Sequence, residues 1–438
     1  MNKLIKKTES KKMLKKLREF LKSCGIKAML TLTAGVFIAQ IISYVAQPLL
    51  TRLYSPESFG INALIVSVVS MFTPVLTLQY DQFIVISDSD DDGKKLTTLS
   101  LYLSFIVTLA VCIGLFIYNN ILKRNTFFVA GNWIYLSIPL MLLTGVINVL
   151  TAYNNRLGCY NIIAQVNIFR TLSQSVFKVL FGMWDKSFIG LTIGTIIGCV
   201  TGLGKQTKCL GWKLSEFFSY SIGELWTVAK TYKEQPLFST PGFFVSNLSY
   251  SILPVMLSSL YNTEEVGYFS LSMTMLGIPL SLISDSVGKV FLKKASQEKA
   301  DNGGFYVSYR NTSVLLLAIA LPAFTLLYFI AEPAFFFVFG ASWIRSGTFV
   351  KILIPLYIVR FVVSVMVQGL IISGKQLMKL IIQMFFIVEA VVAFSLSKSF
   401  NLSIELFLSI TGTLYACNYI VIWIAGYHAS RSEKGIYD

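Results

Sequence analysis

The ionisable residues of this 438-residue chain within or at the edge of long apolar runs include Asp81, Arg170, Lys178, Asp285, Arg360 and Glu389. A charge inside a bilayer is costly, so such residues either pair with one another or serve a substrate or an ion. Arg170 stands about nine residues into its run, ~14 Å deep, and Asn167, Gln174 and Lys178 share much of its helical face. Arg360 stands about twelve residues into another run, ~18 Å deep, in line with Tyr357, Ser364 and Gln368. The interior balance is cationic, with Arg170, Lys178 and Arg360 against Glu389, because Asp81 and Asp285 lie nearer the cytoplasmic ends. That balance suits an anionic ligand, and a guanidinium matches phosphate oxygens two at a time. Two structural roles compete for the same residues. They are an ion pair between Arg360 and Glu389, and snorkelling of the Lys178 ammonium toward the interface. Asp81 and Glu389 are the candidates for coupling to an ion gradient.

Uncharged polar residues accompany these charges in helical stripes. Gln40, Tyr44, Gln47 and Thr51 recur at intervals of four, three and four, which is one face of a helix. Asn247, Ser251, Pro254 and Ser258 repeat the same spacing. Ser67, Ser70, Pro74, Thr77 and Asp81 form a second stripe, echoed by Thr274, Gly277, Ser281, Ser284 and Gly288. Close packing between membrane helices selects Ser, Thr and Gly, but it does not require Gln, Asn or Asp. The stripes therefore predict the walls of a water-accessible cavity. Gly190, Gly194, Gly198 and Gly202, four residues apart, predict instead a face for backbone approach.

The elements that must carry these residues are membrane helices. Hydrophobic residues make up 55% of the chain, charged residues 13%, and the mean hydropathy is +0.67. Soluble domains carry about 25% charged residues. Twelve spans are expected: Ala28–Leu50, Gly60–Tyr80, Leu96–Tyr118, Trp133–Tyr153, Ile162–Gly182, Phe188–Leu203, Leu237–Leu260, Val266–Val290, Ser313–Phe335, Thr348–Ser373, Leu377–Ser397 and Leu402–Ala425. With the N-terminus inside, about 27 of the 37 Lys and Arg fall in cytoplasmic segments and about 7 outside, so both termini are expected in the cytoplasm. This bias also accounts for the net charge of +15 without nucleic acid as a partner. Residues 1–27 read as a basic cytoplasmic segment, either an amphipathic surface helix or a solvated tail, with no cleavage site for a signal peptide.

An internal repeat organises the spans. Tyr54-Ser-Pro-Glu57-Ser-Phe-Gly60 returns as Tyr261-Asn-Thr-Glu264-Glu-Val-Gly267, 207 residues later, and Gly35, Phe37 and Leu50 match Gly242, Phe244 and Leu257. Further along, Ile138-Pro-Leu140 matches Ile354-Pro-Leu356, each with a glycine 19 residues after the proline (Gly158 and Gly374). The expected fold class is therefore an all-α polytopic membrane protein of two pseudo-symmetric six-helix lobes. The expected boundaries are 28–203 for the N-lobe, 204–236 for a cytoplasmic linker, 237–425 for the C-lobe and 426–438 for a cytoplasmic tail. Glu57 and Glu264 would cap incoming helices, and with Arg52, Gly60 and Gly267 they form candidate hinges of a gate.

Missing motifs narrow the chemistry. There is no P-loop, dinucleotide fingerprint, metal-ligand cluster or G-x-S-x-G elbow, and the single histidine, His428, lies beyond the last span. The six cysteines are scattered and read as packing residues. No cofactor or metal is expected, and ATP hydrolysis is not.

The stretch Leu49-Leu-Thr-Arg52-Leu-Tyr-Ser-Pro56-Glu57-Ser-Phe59-Gly60 resembles the Wzx-type polysaccharide-repeat flippases of the superfamily shared with MATE exporters and the lipid II flippase. The resemblance extends into Gln79-Tyr-Asp81-Gln-Phe-Ile-Val-Ile86 and the twelve-span, MATE-like plan. It implies translocation of an undecaprenyl-diphosphate-linked oligosaccharide across a bacterial inner membrane by alternating access. It also implies a cationic central cavity and a lipid tail left in the bilayer. The two further C-terminal spans of the lipid II flippase have no counterpart here, and its arginine cluster has no residue-by-residue match. Arg170 and Arg360 are therefore candidates for the diphosphate from this sequence alone, and Gln40, Gln47 and Asn247 for sugar hydroxyls. Membrane lipids and the polysaccharide polymerase or export machinery are the expected partners.

Two rival readings remain. A MATE-like ion-coupled exporter of organic cations would need acidic residues at the cavity centre. A membrane enzyme of the same pathway would need a long polar outer loop, whereas the longest expected here is Asn119–Asn132.

Overall fold

The computed structural model describes residues 24–121, 130–209 and 219–431. The basic segment lies almost wholly outside this range, as do most of the 119–132 loop, part of the linker and the end of the tail. Among the described residues the chain is helical, without strands. The first half comprises α1 (Cys24–Leu53), α2 (Pro56–Phe72), the short α3 (Asp81–Ile86), α4 (Asp90–Phe116), α5 (Ser137–Arg156), α6 (Tyr160–Trp184) and α7 (Phe188–Gln206). The linker contributes α8 (Ile222–Thr231). The second half comprises α9 (Glu234–Leu260), α10 (Thr263–Asn302), α11 (Tyr306–Phe339), α12 (Ile344–Met366) with its continuation α13 (Gln368–Ile372), α14 (Gln376–Phe400) and α15 (Ile404–Ser430).

Each of the twelve predicted spans contains a long helix. Ten of these, among the described residues, are long and apolar enough to cross a membrane. The other two are α6 and α10, the carriers of the Asn167–Lys178 and Thr274–Gly288 polar stripes. Polar residues on one face lower the average of a helix whose other faces stay apolar. The chain is a multi-pass membrane protein.

The repeat is visible in packing. α1 packs on α6, and its counterpart α9 packs on α14. α4 packs on α5 as α11 does on α12, and α5 on α7 as α12 does on α15. The helix ends agree at the level of single hydrogen bonds. Gly158 and Gly374 both take the left-handed conformation, with φ 69° and 73°. At the first, the Gly158 and Cys159 amides donate to the Asn155 and Asn154 carbonyls. At the second, the Gly374 and Lys375 amides donate to the Ile371 and Leu370 carbonyls. A glycine is needed at both because a Cβ disfavours that conformation.

Two expectations are corrected. Predicted span Gly60–Tyr80 is helical only through Phe72, followed by a 3-10 turn over Thr73–Val75. Leu78 and Gln79 then adopt positive φ (47° and 61°), a strained geometry for residues with a side chain. The equivalent α10 runs unbroken for 40 residues. Second, Glu57 and Glu264 do not supply the capping hydrogen bonds. The amide of Ser58 donates to Ser55 Oγ at 3.2 Å, and that of Glu265 to Asn262 Oδ1 at 2.9 Å. Both glutamates still lie in a first helical turn, where a negative charge favours the dipole.

The halves meet at the hairpin end of the molecule, where α2 crosses α10. A Cβ built on Gly60 would lie 1.8 Å from the Thr263 carbonyl oxygen, and one on Gly267 would lie 1.8 Å from that of Pro56. The two signature glycines thus let the backbones touch reciprocally. Beside them, Trp343 is 1% exposed, donates its indole N–H to the Thr51 carbonyl at 2.9 Å and packs edge-on against Phe59 and Tyr268. Tyr54 ties the first hairpin down by donating to the Lys178 carbonyl at 2.7 Å, and Tyr261 does so to the Leu402 carbonyl at 2.9 Å.

Overpacking of this kind typically costs ~1–3 kcal/mol. Gly60→Ala is therefore expected to lower the thermal stability of the purified protein and to pry the seam open. In a cysteine-free background, a cysteine placed at the buried Thr263 should react faster with a membrane-impermeant maleimide when Gly60→Ala is present.

Candidate functional site

The glycine face of α7 builds the site. A Cβ at Gly194 would meet the stem and backbone of Lys178, one at Gly198 would meet Gln174, and one at Gly202 the side chain of Arg170. The helices α6 and α7 therefore approach closely, and the long polar side chains of α6 lie along the glycine groove. The packing role expected for this quartet holds. Between α1, α6 and α7 lies a cavity of about 350 Å³ whose lining includes Gln40, Ser43, Asn167, Arg170, Gln174 and Cys199, with no Asp or Glu.

Arg170 donates to Cys199 Sγ at 3.6 Å, and its buried Nε has no partner. A guanidinium held by a weak sulfur acceptor keeps most of its donors for a ligand. Gln174 is fixed by its bond to Thr195 at 3.1 Å. Gln40 donates to Ser281 of α10 at 3.4 Å, while its buried carbonyl oxygen lacks a partner. Gln47, two turns further along α1, also has a buried, unpartnered carbonyl oxygen. The structure thus brings Gln40 and Arg170 to one cavity, with Gln47 on the same stripe and Lys178 two turns beyond Arg170 on α6.

The remaining candidates lie elsewhere. Asn247 is exposed and donates to its own helix, to the Phe243 carbonyl at 2.9 Å. Asp81 accepts from Thr77 at 2.6 Å at the break after α2. Arg360 does not line the cavity. Its guanidinium lies 4.1 Å from the ring centroid of Tyr250 and 5.2 Å from that of Tyr357, and donates to the Tyr357 hydroxyl at 3.1 Å. The Arg360–Glu389 ion pair, the structural alternative for these two residues, is not formed. Glu389 instead accepts from Asn418 at 3.5 Å, and tyrosine faces take the place of the carboxylate beside the cation.

The repeat explains why only the first half is hollow here. Ser43 matches Tyr250 at the offset of 207, and Arg170 and Cys199 match Phe386 and Tyr415 at the offset of 216 set by Gly158 and Gly374. Those three counterparts form a mutual aromatic cluster, with Tyr250–Tyr415 centroids 5.6 Å apart, Phe386–Tyr415 4.9 Å and Tyr250–Phe386 6.3 Å. The hydroxyls of Tyr250 and Tyr419 are also hydrogen bonded. Small and polar residues leave a space in one half that rings fill in the other. Arg360 caps the filled side. The sequence signal for this cluster was present in the aligned repeat at Ser43/Tyr250 and Cys199/Tyr415, where one copy is small and the other aromatic.

The lateral edges of the seam differ as well. On one side α2 packs against α9, with Phe72 and Phe244 rings 6.1 Å apart. On the pseudo-equivalent side, among the described residues, α1 and α10 are joined by the Gln40–Ser281 bond.

These features define a two-lobed helical membrane fold with a polar cavity whose described lining holds no Asp or Glu. Among solved structures, the chain is similar to an inward-facing multidrug resistance MATE family transporter of the MOP superfamily, at 17% identity and a TM-score of 0.69, covering 90% of this chain and 94% of that one. It is similar to lipid II flippase MurJ in an inward closed conformation, at 14% identity and 0.70, covering 91% and 90%. It is also similar to a MOP superfamily transporter from Pyrococcus furiosus described as having a binding pocket of reverse polarity, at 16% identity and 0.60, covering 92% and 95%. No curated protein sequence matches the chain significantly. The family of polysaccharide biosynthesis proteins matches residues 49–347, and the chain belongs to that family. The resemblance drawn from the Thr51–Gly60 signature is thereby borne out.

A cation stacked on desolvated rings is worth about 2 kcal/mol. Tyr250→Ala should therefore destabilise the protein by at least that amount in a thermal denaturation series, and Tyr250→Phe, which keeps the face, by well under half of it.

Proposed function

We propose that this protein is a flippase for an oligosaccharide repeat unit linked through a diphosphate to undecaprenol. It would carry that unit from the cytoplasmic to the outer leaflet of a bacterial inner membrane for surface polysaccharide assembly. The observation that carries this reading is the cavity between α1, α6 and α7, where Arg170 presents unpaired donors and the described lining residues include no Asp or Glu. A diphosphate offers the acceptors that such a guanidinium lacks. Gln40, Gln47 and Asn167 are amides suited to sugar hydroxyls. An exporter of organic cations would need the acidic group that the lining does not provide.

In this reading both termini are cytoplasmic and the Tyr54 and Tyr261 hairpins face outward. The Gly60–Gly267 contact and Trp343 then close the outer side, and the conformation is inward-facing. The lobes, 28–203 and 237–425, rock about this contact, with Arg52, Glu57 and Glu264 at its rim. The edge between α1 and α10 lets the isoprenoid stay in the bilayer while the head group enters. Asp81, at the strained break after α2, and Glu389, beside Asn418, are the candidates for ion coupling. Arg360, held on tyrosine faces here, reaches a substrate only when released from them. Polymerase or export machinery would receive the flipped product.

Arg170→Ala, expressed at normal levels, is expected to reduce surface polymer at least tenfold, with lipid-linked repeat units accumulating in mass spectra of membrane extracts. Arg170→Lys should retain part of the activity, since it keeps charge but not the planar fork. Full export by Arg170→Ala, or loss of cationic-drug resistance without accumulated lipid-linked saccharide, would sink the proposal. Paired cysteines at Gln40 and Ser281, joined by a short bifunctional linker, should arrest export by pinning the edge between α1 and α10. Cleavage of the linker should restore it.

A further inference from the structure

The helix α8, in the linker between the halves, has no part in the cavity. A capping box fixes its start: Ser221 Oγ accepts from the Glu224 amide at 3.3 Å, and the Glu224 carboxylate accepts from the Ser221 amide at 2.8 Å. One face is buried. Val228 and Ala229 join Tyr80, Phe83, Ile84 and Leu96 in an apolar cluster with the ends of α3 and α4. Tyr80 donates to the Ala229 carbonyl at 3.0 Å, and Tyr220 donates to Asp91 at 3.2 Å. The helix is thus pinned to the first half at the end away from the signature hairpins.

The other face is bare. Ile222 is 87% exposed and Trp226 62%, and Lys230 holds its ammonium 5.5 Å from the Trp226 ring. Lys233 is exposed one turn further on. Positions 222, 226 and 230 form a single stripe by their spacing of four, and Lys233 follows just past the end of the helix. Among the described residues, Glu224 is engaged by Ser221 and Asp91 by Lys95 and Tyr220. An apolar residue and an indole followed by two lysines match the layering of a lipid headgroup region, rings at the glycerol level and ammonium groups among phosphates. Exposed apolar surface lies close by. Tyr102 and Phe105 on α4 are exposed large side chains, the nearer about 9 Å along that helix from Leu96.

We propose that α8 lies in the headgroup layer of the cytoplasmic leaflet and binds anionic phospholipid through Trp226, Lys230 and Lys233. It thereby moors the first half while the second half rocks. The leaflet assignment rests on the orientation given above; the lipid contact does not. Hydrogen exchange of the full chain in nanodiscs tests it, comparing phosphatidylcholine alone with a mixture containing about one-third phosphatidylglycerol. Segment 222–233 is expected to exchange about fivefold or more slowly in the anionic discs, from the attraction of two lysines. The triple variant Trp226→Ser, Lys230→Gln, Lys233→Gln should lose that difference. Equal exchange in both lipids overturns the proposal, as does slowing that persists in the variant, which would assign the protection to packing on α4. Nanodisc leaflets are equivalent and no substrate is needed, so this outcome is independent of whether Arg170→Ala blocks export.

Discussion

The architecture depends on one close approach, that of the α2 and α10 backbones at Gly60 and Gly267. With no side chain between them, each helix presents a carbonyl to the other's glycine. Any Cβ would push the halves apart by more than about 1 Å to restore ordinary contact, which packed interiors resist. The neighbouring interactions presuppose this distance: Trp343 reaches Thr51 across the seam, and Phe59 packs on Trp343, only because the glycines meet.

From that pivot the two halves diverge in content while sharing a plan. Glycines on α7 bring it against the Arg170, Gln174 and Lys178 face of α6, and Ser43 leaves room beside it. In the second half, Tyr250, Phe386 and Tyr415 occupy the matching positions and stack. Duplication supplied the scaffold, and side-chain volume decided which copy is hollow. An arginine is tolerated in each half for a different reason: Arg170 faces a polar cavity, whereas Arg360 lies on ring faces that partly replace water.

The broken α2 and the unbroken α10 make a second asymmetry. Pro74 removes an amide donor, and Leu78 and Gln79 turn the chain with positive φ before Asp81 begins α3. Backbone held in sparsely populated conformations tends to mark moving or functional parts. Here it sits at the end of the first half to which α8 is tied through Tyr80, so the strained turn and the linker share one anchoring point.

The sequence by itself determined the class, the twelve helices, the repeat and the glycine faces. These follow from local rules: apolar run length, the period of a helix, and the need for glycine where backbones touch or φ is positive. It also placed Gln40, Gln47, Arg170 and Lys178 along the helices that form the cavity region. Only the tertiary structure decided that Arg360 stacks on Tyr250 and Tyr357 instead of pairing with Glu389, that Asn247 turns to its own backbone, and that Ser55 and Asn262 do the capping. Each of these choices is a competition among partners brought together from distant parts of the chain. Side-chain reach and the volume of neighbours settle that competition, and neither is encoded in helical spacing.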